Sequence, residues 1–473
     1  MSELCDMSAC ELRAHIGNKA VSPVEVFESC VRRIERSNPW VNAIVTMDLE
    51  RAEERAQAAE QSVMKGARLG LLHGLPAAIK DLNSTAGLRT TFGSRIYREH
   101  VPTEDDAVAA SLRAAGAIIL GKTNTPEFGA GANTTNLVFG ATHNPYAHGR
   151  IVGGSSGGAA AALATRMVPI ANGSDRGGSL RIPASFCGVV GFRPSSGMVP
   201  FDDRVIGWSP LCVEGPLGRN VRDTRLLFDA MRRTQVDDQL STVPPEISDE
   251  LPELSGLRVA FSEDLGFAPV DDAVRNRFTE IVDCLQAPFK RCRKAHPDFA
   301  QGHETFEVLR ALDFMASYKD YYDKNRSELT QNVVVNVEQG LGMTLEDVAR
   351  AMRAQTTLFR QCSEFFTRFD LLVCPTVAVT PFDVKLNHPP SVAGLPARNY
   401  FHWFALTYGI TLTALPSISI PCGMLDGTPF GIQLVGPYRS DLRLLAWAEQ
   451  IERLIDQHTE LAVPPPGMVA TVE

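Results

Sequence analysis

Ala77-Ala78-Ile79, Asp106 to Ala115 closed by Gly116, Ala117-Ile118-Ile119-Leu120, and Met167-Val168-Pro169-Ile170 decide the fold. Short apolar runs of this kind have the length of buried strands, not of helices. The segment between the first two runs has helical spacing and a glycine stop. Strands alternating with helices predict an α/β core with a largely parallel sheet. This texture extends over residues 71–233.

Working outward, residues 1–66 predict helices. Ser8 with Glu11 forms a capping box, and Ser22-Pro23 with Glu25 gives a second start. Val24, Phe27, Val31 and Ile34 repeat at helical spacing, and Asn38-Pro39 should end that helix. Asp48 to Lys65, closed by Gly66, predicts a solvated outer helix. On the other side, Thr234–Ser255 is rich in Pro, Asp, Glu and Ser and predicts a surface linker. Leu257 to Phe261 restarts a strand, 305–370 predicts helices, and Leu371–Pro375 and Ile418–Pro421 predict late strands. The expected organisation is one domain over 1–473. It comprises a helical segment 1–66, a core 71–233, a linker 234–255, and a remainder 256–473 with the rest of the sheet and a variable pocket segment.

The 473 residues carry 46 Lys and Arg against 55 Asp and Glu, a net charge of −9. With 44% hydrophobic and 21% charged residues, disorder, collagen and coiled coil are excluded. The acidic balance argues against nucleic acid as the main partner. The ten cysteines include no C-x-x-C pair and no zinc spacing, so reduced, buried thiols are expected. The first residues have neither a basic n-region nor an apolar run, and a cytoplasmic location is expected. Asn399–Leu425 lacks Lys, Arg, Asp and Glu, but Gly409, Pro416, Pro421 and Gly423 interrupt it. It reads as buried strand and loop, and no membrane span is expected.

The chemistry concentrates in Gly153-Gly154-Ser155-Ser156-Gly157-Gly158 and Asp175-Arg176-Gly177-Gly178-Ser179. Glycine pairs beside serines permit close backbone approach and a row of N–H groups able to hold an oxyanion. Three readings compete. A phosphate loop needs Gly-Lys-Ser/Thr, which is missing here. A nucleophile elbow is matched formally at Gly153-x-Ser155-x-Gly157 and Gly154-x-Ser156-x-Gly158. It requires a preceding strand, which Asn144–Val152 does not resemble, and a later histidine; His388, His402 and His458 lack a diagnostic setting. The third reading takes Ser179 as nucleophile and a buried lysine as base. Lys80 follows an apolar run, and burial favours its neutral form. Asp81 opposes this, unless an extended segment turns the two side chains to opposite faces.

Taken together, these residues resemble the amidase signature family of serine hydrolases. The similarity runs through Gly74-Leu75-Pro76, Lys80-Asp81, Gly121-Lys122-Thr123-Asn124 and Glu127-Phe128-Gly129 to the two glycine–serine motifs. It continues through Arg181-x-Pro183-Ala184, Phe186 to Gly191, Glu214-Gly215-Pro216-Leu217 and Gly427-x-Pro429-x-Gly431-x-Gln433. The resemblance implies a large mixed sheet flanked by helices on both faces. It further implies a catalytic triad of Ser179 as nucleophile, Ser155 after a cis peptide from Gly154, and neutral Lys80. Backbone N–H groups of Arg176, Gly177, Gly178 and Ser179 would form the oxyanion hole, with Ser156 and Asp175 in support. No metal or organic cofactor is implied.

The sequence departs from the family pattern at Arg176 and Ala132. Arg176 either lines the pocket or pairs with a carboxylate such as Asp175, and the pairing is the expectation. Gly129, Ala130, Gly131, Ala132 and Arg176 are the candidate substrate-binding residues. Two aromatic clusters stand out: Phe314, Tyr318, Tyr321, Tyr322 and Tyr400, Phe401, Trp403, Phe404. At helical spacing both read as core rather than pocket. The expected substrate is a small-molecule amide, aryl or bulky, with carbamate or ester as the alternative. The glutaminase subunit of a tRNA-dependent amidotransferase is a further alternative. The resemblance also admits a homodimer.

Overall fold

The computed structural model describes residues 3–202, 204–243 and 253–467. One eleven-stranded sheet runs through the molecule. Its strands are β1 (Ile44–Met47), β2 (Pro76–Lys80), β3 (Ile118–Thr123), β4 (Ile170–Asp175), β5 (Val190–Arg193) and β6 (Val213–Gly218). The later ones are β7 (Arg258–Phe261), β8 (Arg291–Lys294), β9 (Leu371–Pro375), β10 (Ser417–Leu425) and β11 (Thr428–Val435). Their order in space is β1-β3-β2-β4-β6-β5-β10-β11-β9-β7-β8. Strands β2, β3, β4 and β6 are buried along their whole length, as a sheet covered by helices on both faces requires.

The sheet is mixed, as the family resemblance implies, and the expectation of a largely parallel sheet is corrected. β2 runs parallel to β3 and β4, and β7 runs parallel to β8 and β9. The other six neighbouring pairs are antiparallel. The centre is folded back by the β10–β11 hairpin. Its turn residues Asp426 and Gly427 take φ of 49° and 74°, which suits an Asp-Gly hairpin turn.

The amino-terminal helices are α1 (Ala9–Gly17), α2 (Pro23–Val41) and α3 (Leu49–Met64). Both expected capping boxes are formed. Ala52, Ala56, Ala59 and Val63 are the buried stripe of α3, and the rest of that helix faces outward. Two expectations fail here. Helix α2 continues past Asn38-Pro39 to Val41, because Asn42 N–H reaches Asn38 O at 2.7 Å and Asn38 Oδ1 accepts from Ala43 and Ile44. Residues 1–66 are not purely helical, since Ile44–Met47 joins the sheet edge against β3.

Helix α4 (Ala107–Ala114) precedes β3, with Asp106 as its cap and Gly116 at φ 88° beyond its end. Met167–Pro169 lies before β4 rather than within it. Helices α5 (Gly157–Ala164), α6 (Arg181–Cys187) and α7 (Val221–Met231) follow, then α8 (Asp272–Leu285), α9 (Gly302–Asn325), α10 (Gln331–Gly342) and α11 (Leu345–Arg368). Helix α12 (Ala405–Leu412) lies within the stretch read as strand and loop. It is buried on every side, so no amphipathic period announces it. Helix α13 (Asp441–Ile455) closes the set. Among the described residues no helix is long and apolar enough to cross a membrane.

The expected linker is only in part a surface segment. Asp238 is buried and pairs with Arg204 at 3.6 Å, and Thr242 N–H reaches Gly197 O. Residues 244–252 of that linker lie outside the described residues. All ten cysteines are free.

Candidate active site

Lys80 ends β2 and is fully buried. Its Nζ donates to Ser155 Oγ at 2.7 Å, Ser156 Oγ at 2.9 Å and Ser174 Oγ at 3.0 Å. Burial lowers its pKa to about 8, although the nearby Glu214 and Asp175 charges oppose the shift. Asp81 does not oppose it at close range. Its carboxylate accepts from Thr91 N–H at 3.1 Å and from Thr91 Oγ at 2.5 Å. Adjacent residues of an extended strand point to opposite faces, which separates the two groups.

Ser155 and Ser156 enter from the turn before α5. The Gly154–Ser155 peptide is cis. Ser156 N–H donates to Ser179 O at 3.2 Å, tying the two glycine–serine motifs together. Ser156 Oγ donates to Ser174 O at 3.3 Å. Gly158 lies so close to the end of β3 that a Cβ there would be 2.3 Å from Asn124 N. The glycines thus serve backbone approach, not phosphate. No strand precedes Ser155: Asn144–Val152 makes only isolated bridges, so the nucleophile-elbow reading loses its scaffold.

Ser179 sits on the turn between β4 and α6. Asp175 builds this turn from below. Fully buried, it accepts from Gly178 N–H at 2.8 Å and Leu180 N–H at 3.2 Å. It also accepts from Arg181 Nε at 3.0 Å and pairs with Arg193 Nη1 at 3.1 Å. Burial alone would raise its pKa, but the two guanidinium groups hold the carboxyl well below the usual carboxylate range. Thr407 of α12 donates to Gly177 O at 2.7 Å from the other side. Gly178 takes φ 133°, and a Cβ there would meet Thr407 Oγ at 2.3 Å. Of the four N–H groups expected to form an oxyanion hole, that of Gly178 donates to Asp175 Oδ1 at 2.8 Å.

Ser155, Ser174 and Ser179 open into one cavity of about 340 Å³. One wall is aromatic, formed by Phe92, Tyr97, Phe128, Tyr318 and Tyr321. Phe128 stacks on Tyr318 at 4.6 Å, and the Tyr97 and Tyr321 hydroxyls meet at 2.5 Å. The lining also carries the charged side chains Arg176, Glu214 and Asp313. The expectation that both aromatic clusters are core is therefore corrected for the first. Tyr318 and Tyr321 line the cavity, Phe314 is buried beneath it, and Tyr322 turns outward to Glu338. Tyr400, Phe401, Trp403 and Phe404 are core as expected.

Of the candidate substrate-binding residues, Gly129 and Arg176 line the cavity. Ala130, Gly131 and Ala132 do not. Ala130 is buried with its carbonyl on Asn332, Asn332 also crowds Gly131, and Ala132 packs under Gly154. Arg176 does not pair with Asp175, whose oxygens are taken by Arg181 and Arg193. Its ionic partner is Asp313, 3.9 Å away. Sequence reasoning misses Asp313, Phe92 and Tyr97. Asp313 stands beside the aromatic cluster, but nothing marks the other two. His388, His402 and His458 are not among the lining residues.

A model of the Amidase family matches residues 25–445. The chain is 34% identical to an acylamidase of Rhodococcus erythropolis over 455 residues, 94% of this chain and 95% of that protein. It is 31% identical to a glutamyl-tRNA(Gln) amidotransferase subunit of Thermosynechococcus vestitus, over 95% of this chain and 98% of that protein. The crystal structure of a bacterial aryl acylamidase of the amidase signature enzymes superposes with a TM-score of 0.90 at 27% identity, over 99% of both chains. With its sheet, its glycine–serine turns and these relatives in agreement, the chain belongs to the amidase signature family and is an amide hydrolase.

Proposed function

We propose that the chain is a serine amidohydrolase for aryl or otherwise bulky amides, working through an acyl-enzyme on Ser179. The observation that carries this reading is the buried Lys80 ammonium, 2.7 Å from Ser155 Oγ at the edge of a cavity shared with Ser179. With its pKa near 8, Lys80 is partly neutral at ordinary pH and serves as general base. Ser155 relays the proton from Ser179 Oγ to Lys80 as Ser179 attacks the amide carbonyl. The N–H groups of Arg176, Gly177 and Ser179 receive the developing oxyanion. Ser155 then returns the proton to the departing amine, and water releases the acid by the same route.

The aromatic wall supports an aryl or bulky group on the substrate. Carbamates and esters pass through the same tetrahedral chemistry and are the alternative substrates. The similarity to amidotransferase subunits favours a second reading, a glutaminase that needs partner chains. A cytoplasmic location without a nucleic-acid partner fits the net charge of −9 and the ten free cysteines. The single sheet spanning Ile44 to Val435 supports one domain over 1–473.

Labelling the isolated chain with a fluorophosphonate and mapping the peptide is the test. The label is expected on Ser179. Ser179→Ala and Lys80→Ala should each lower anilide turnover by about 10³-fold or more while keeping the fold. Full activity in either variant, or a label on Ser155, overturns the mechanism. Glutamine turnover only with added partner subunits would favour the second reading.

A further inference from the structure

Arg176 reaches from the Ser179 turn into the cavity, and its side chain is 19% exposed. Neighbouring arginines have committed donors. Arg181 holds Asp175 and Thr407 O, Arg193 holds Asp175 and Leu211 O, and Arg204 holds Ser209 O and Cys212 O. Arg176 does not follow them. Its Nε, like those of Arg193 and Arg204, is buried without an acceptor, and Asp313 Oδ2 lies 3.9 Å off that edge, too far for a hydrogen bond; unlike theirs, its terminal amino groups hold no carbonyl or carboxylate among the described residues. Its further polar neighbours include the Cys212 thiol, a weak acceptor, and Tyr318. The Phe314 ring lies 5.0 Å from the guanidinium carbon and helps fix its plane. A guanidinium offers two bidentate edges. With Asp313 off the Nε edge, the edge formed by the two terminal amino groups is left to the cavity. Asp313 offsets the resting charge without using those donors.

We propose that this edge binds a carboxylate of the substrate, so that the preferred amides carry a carboxylate a few bonds from the scissile carbonyl. The distance follows from the attachment of Arg176 three residues before Ser179 in a cavity of about 340 Å³. The proposal rests on the amidohydrolase reading above and adds the substrate's charge to it. The substrate carboxylate lies against Arg176, while the amide itself faces Ser179 and the aromatic wall takes the ring.

The test compares kcat/KM for matched anilides with the intact chain. Half-anilides of dicarboxylic acids place the carboxylate on the acyl side, and acyl aminobenzoates place it on the amine side. Each is set against its neutral methyl ester, with ester cleavage followed separately. On one of the two flanks the wild type should favour the carboxylate by roughly ten- to hundredfold, the range of a charge-assisted contact. Arg176→Gln should bring that ratio to about one, and Arg176→Lys should leave it between the two. Asp313→Asn should raise it by removing a like charge. A wild-type ratio near one on both flanks, or a ratio untouched by Arg176→Gln, overturns the proposal. If no neutral anilide is turned over and Ser179 is not labelled, the amidohydrolase reading has failed instead, and the ratio has no bearing.

Discussion

A pH titration probes the base most directly. Lys80 titrates near 8, because burial penalises its charged form more than Glu214 and Asp175 favour it. Its neutral fraction is then about one-tenth at pH 7, one-half at pH 8 and nine-tenths at pH 9. If neutral Lys80 is the base, kcat/KM for an anilide rises about tenfold from pH 7 to a plateau above pH 9. The assay is initial rate at substrate well below KM, in buffers of constant ionic strength. The rate of fluorophosphonate labelling should follow the same limb. Glu214→Gln removes a nearby negative charge that favours the ammonium, so the limb should move to lower pH. The sign for stability is also fixed. Below pH 8 both folded and unfolded chains hold the proton, and the folded state bears the full burial penalty. As pH rises from about 8 to 10.5 that penalty is relieved, a gain of about 3 kcal/mol from this one group. A flat profile from pH 6 to 9, or a limb that moves up in Glu214→Gln, would refute Lys80 as the base.

Three further outcomes follow from named contacts. Asp175→Asn leaves the buried guanidinium groups of Arg181 and Arg193 without their countercharge, and denaturant unfolding should show a loss of about 3–5 kcal/mol; an unchanged midpoint would show that the pairs do not carry the turn. Gly158→Ala places a Cβ 2.3 Å from Asn124 N and 2.6 Å from Ala43 O, both backbone atoms, so thermal melting should report a loss of about 3 kcal/mol, at the upper end of overpacking costs. His388→Ala and His458→Ala should leave anilide turnover essentially unchanged, since neither lines the cavity; a large loss in either would reopen the search for a histidine base.

The parts legible in the sequence are those fixed by local rules. Capping boxes at Ser8 and Ser22 and the glycine stop at Gly116 depend on residues a few positions apart, and they form as read. The glycine–serine turns are legible because only glycine tolerates such contacts as Gly158 makes with Asn124. The aromatic wall is not legible. Phe92, Tyr97 and Phe128 meet Tyr318 and Tyr321 across some two hundred residues, as in the Tyr97–Tyr321 contact with its separation of 224. Helix α12 escapes detection because a helix buried all round has no amphipathic period. Proximity in sequence points Arg176 at Asp175, whereas Arg181 and Arg193 occupy that carboxylate.

Helix α9 has a further consequence. Asp313, Ser317, Tyr318 and Tyr321, spaced along this one helix, face the cavity, while Lys80, Ser155 and Ser179 stand on the sheet and its turns. A gene duplicate could retool its appetite by changes confined to one stretch of twenty-four residues, with the chemical engine inherited whole. Libraries for new substrates could accordingly begin with that helix, before the lining residues outside it such as Phe92, Tyr97, Phe128 and Arg176. Divergence among descendants should accumulate there first and reach the glycine–serine turns last.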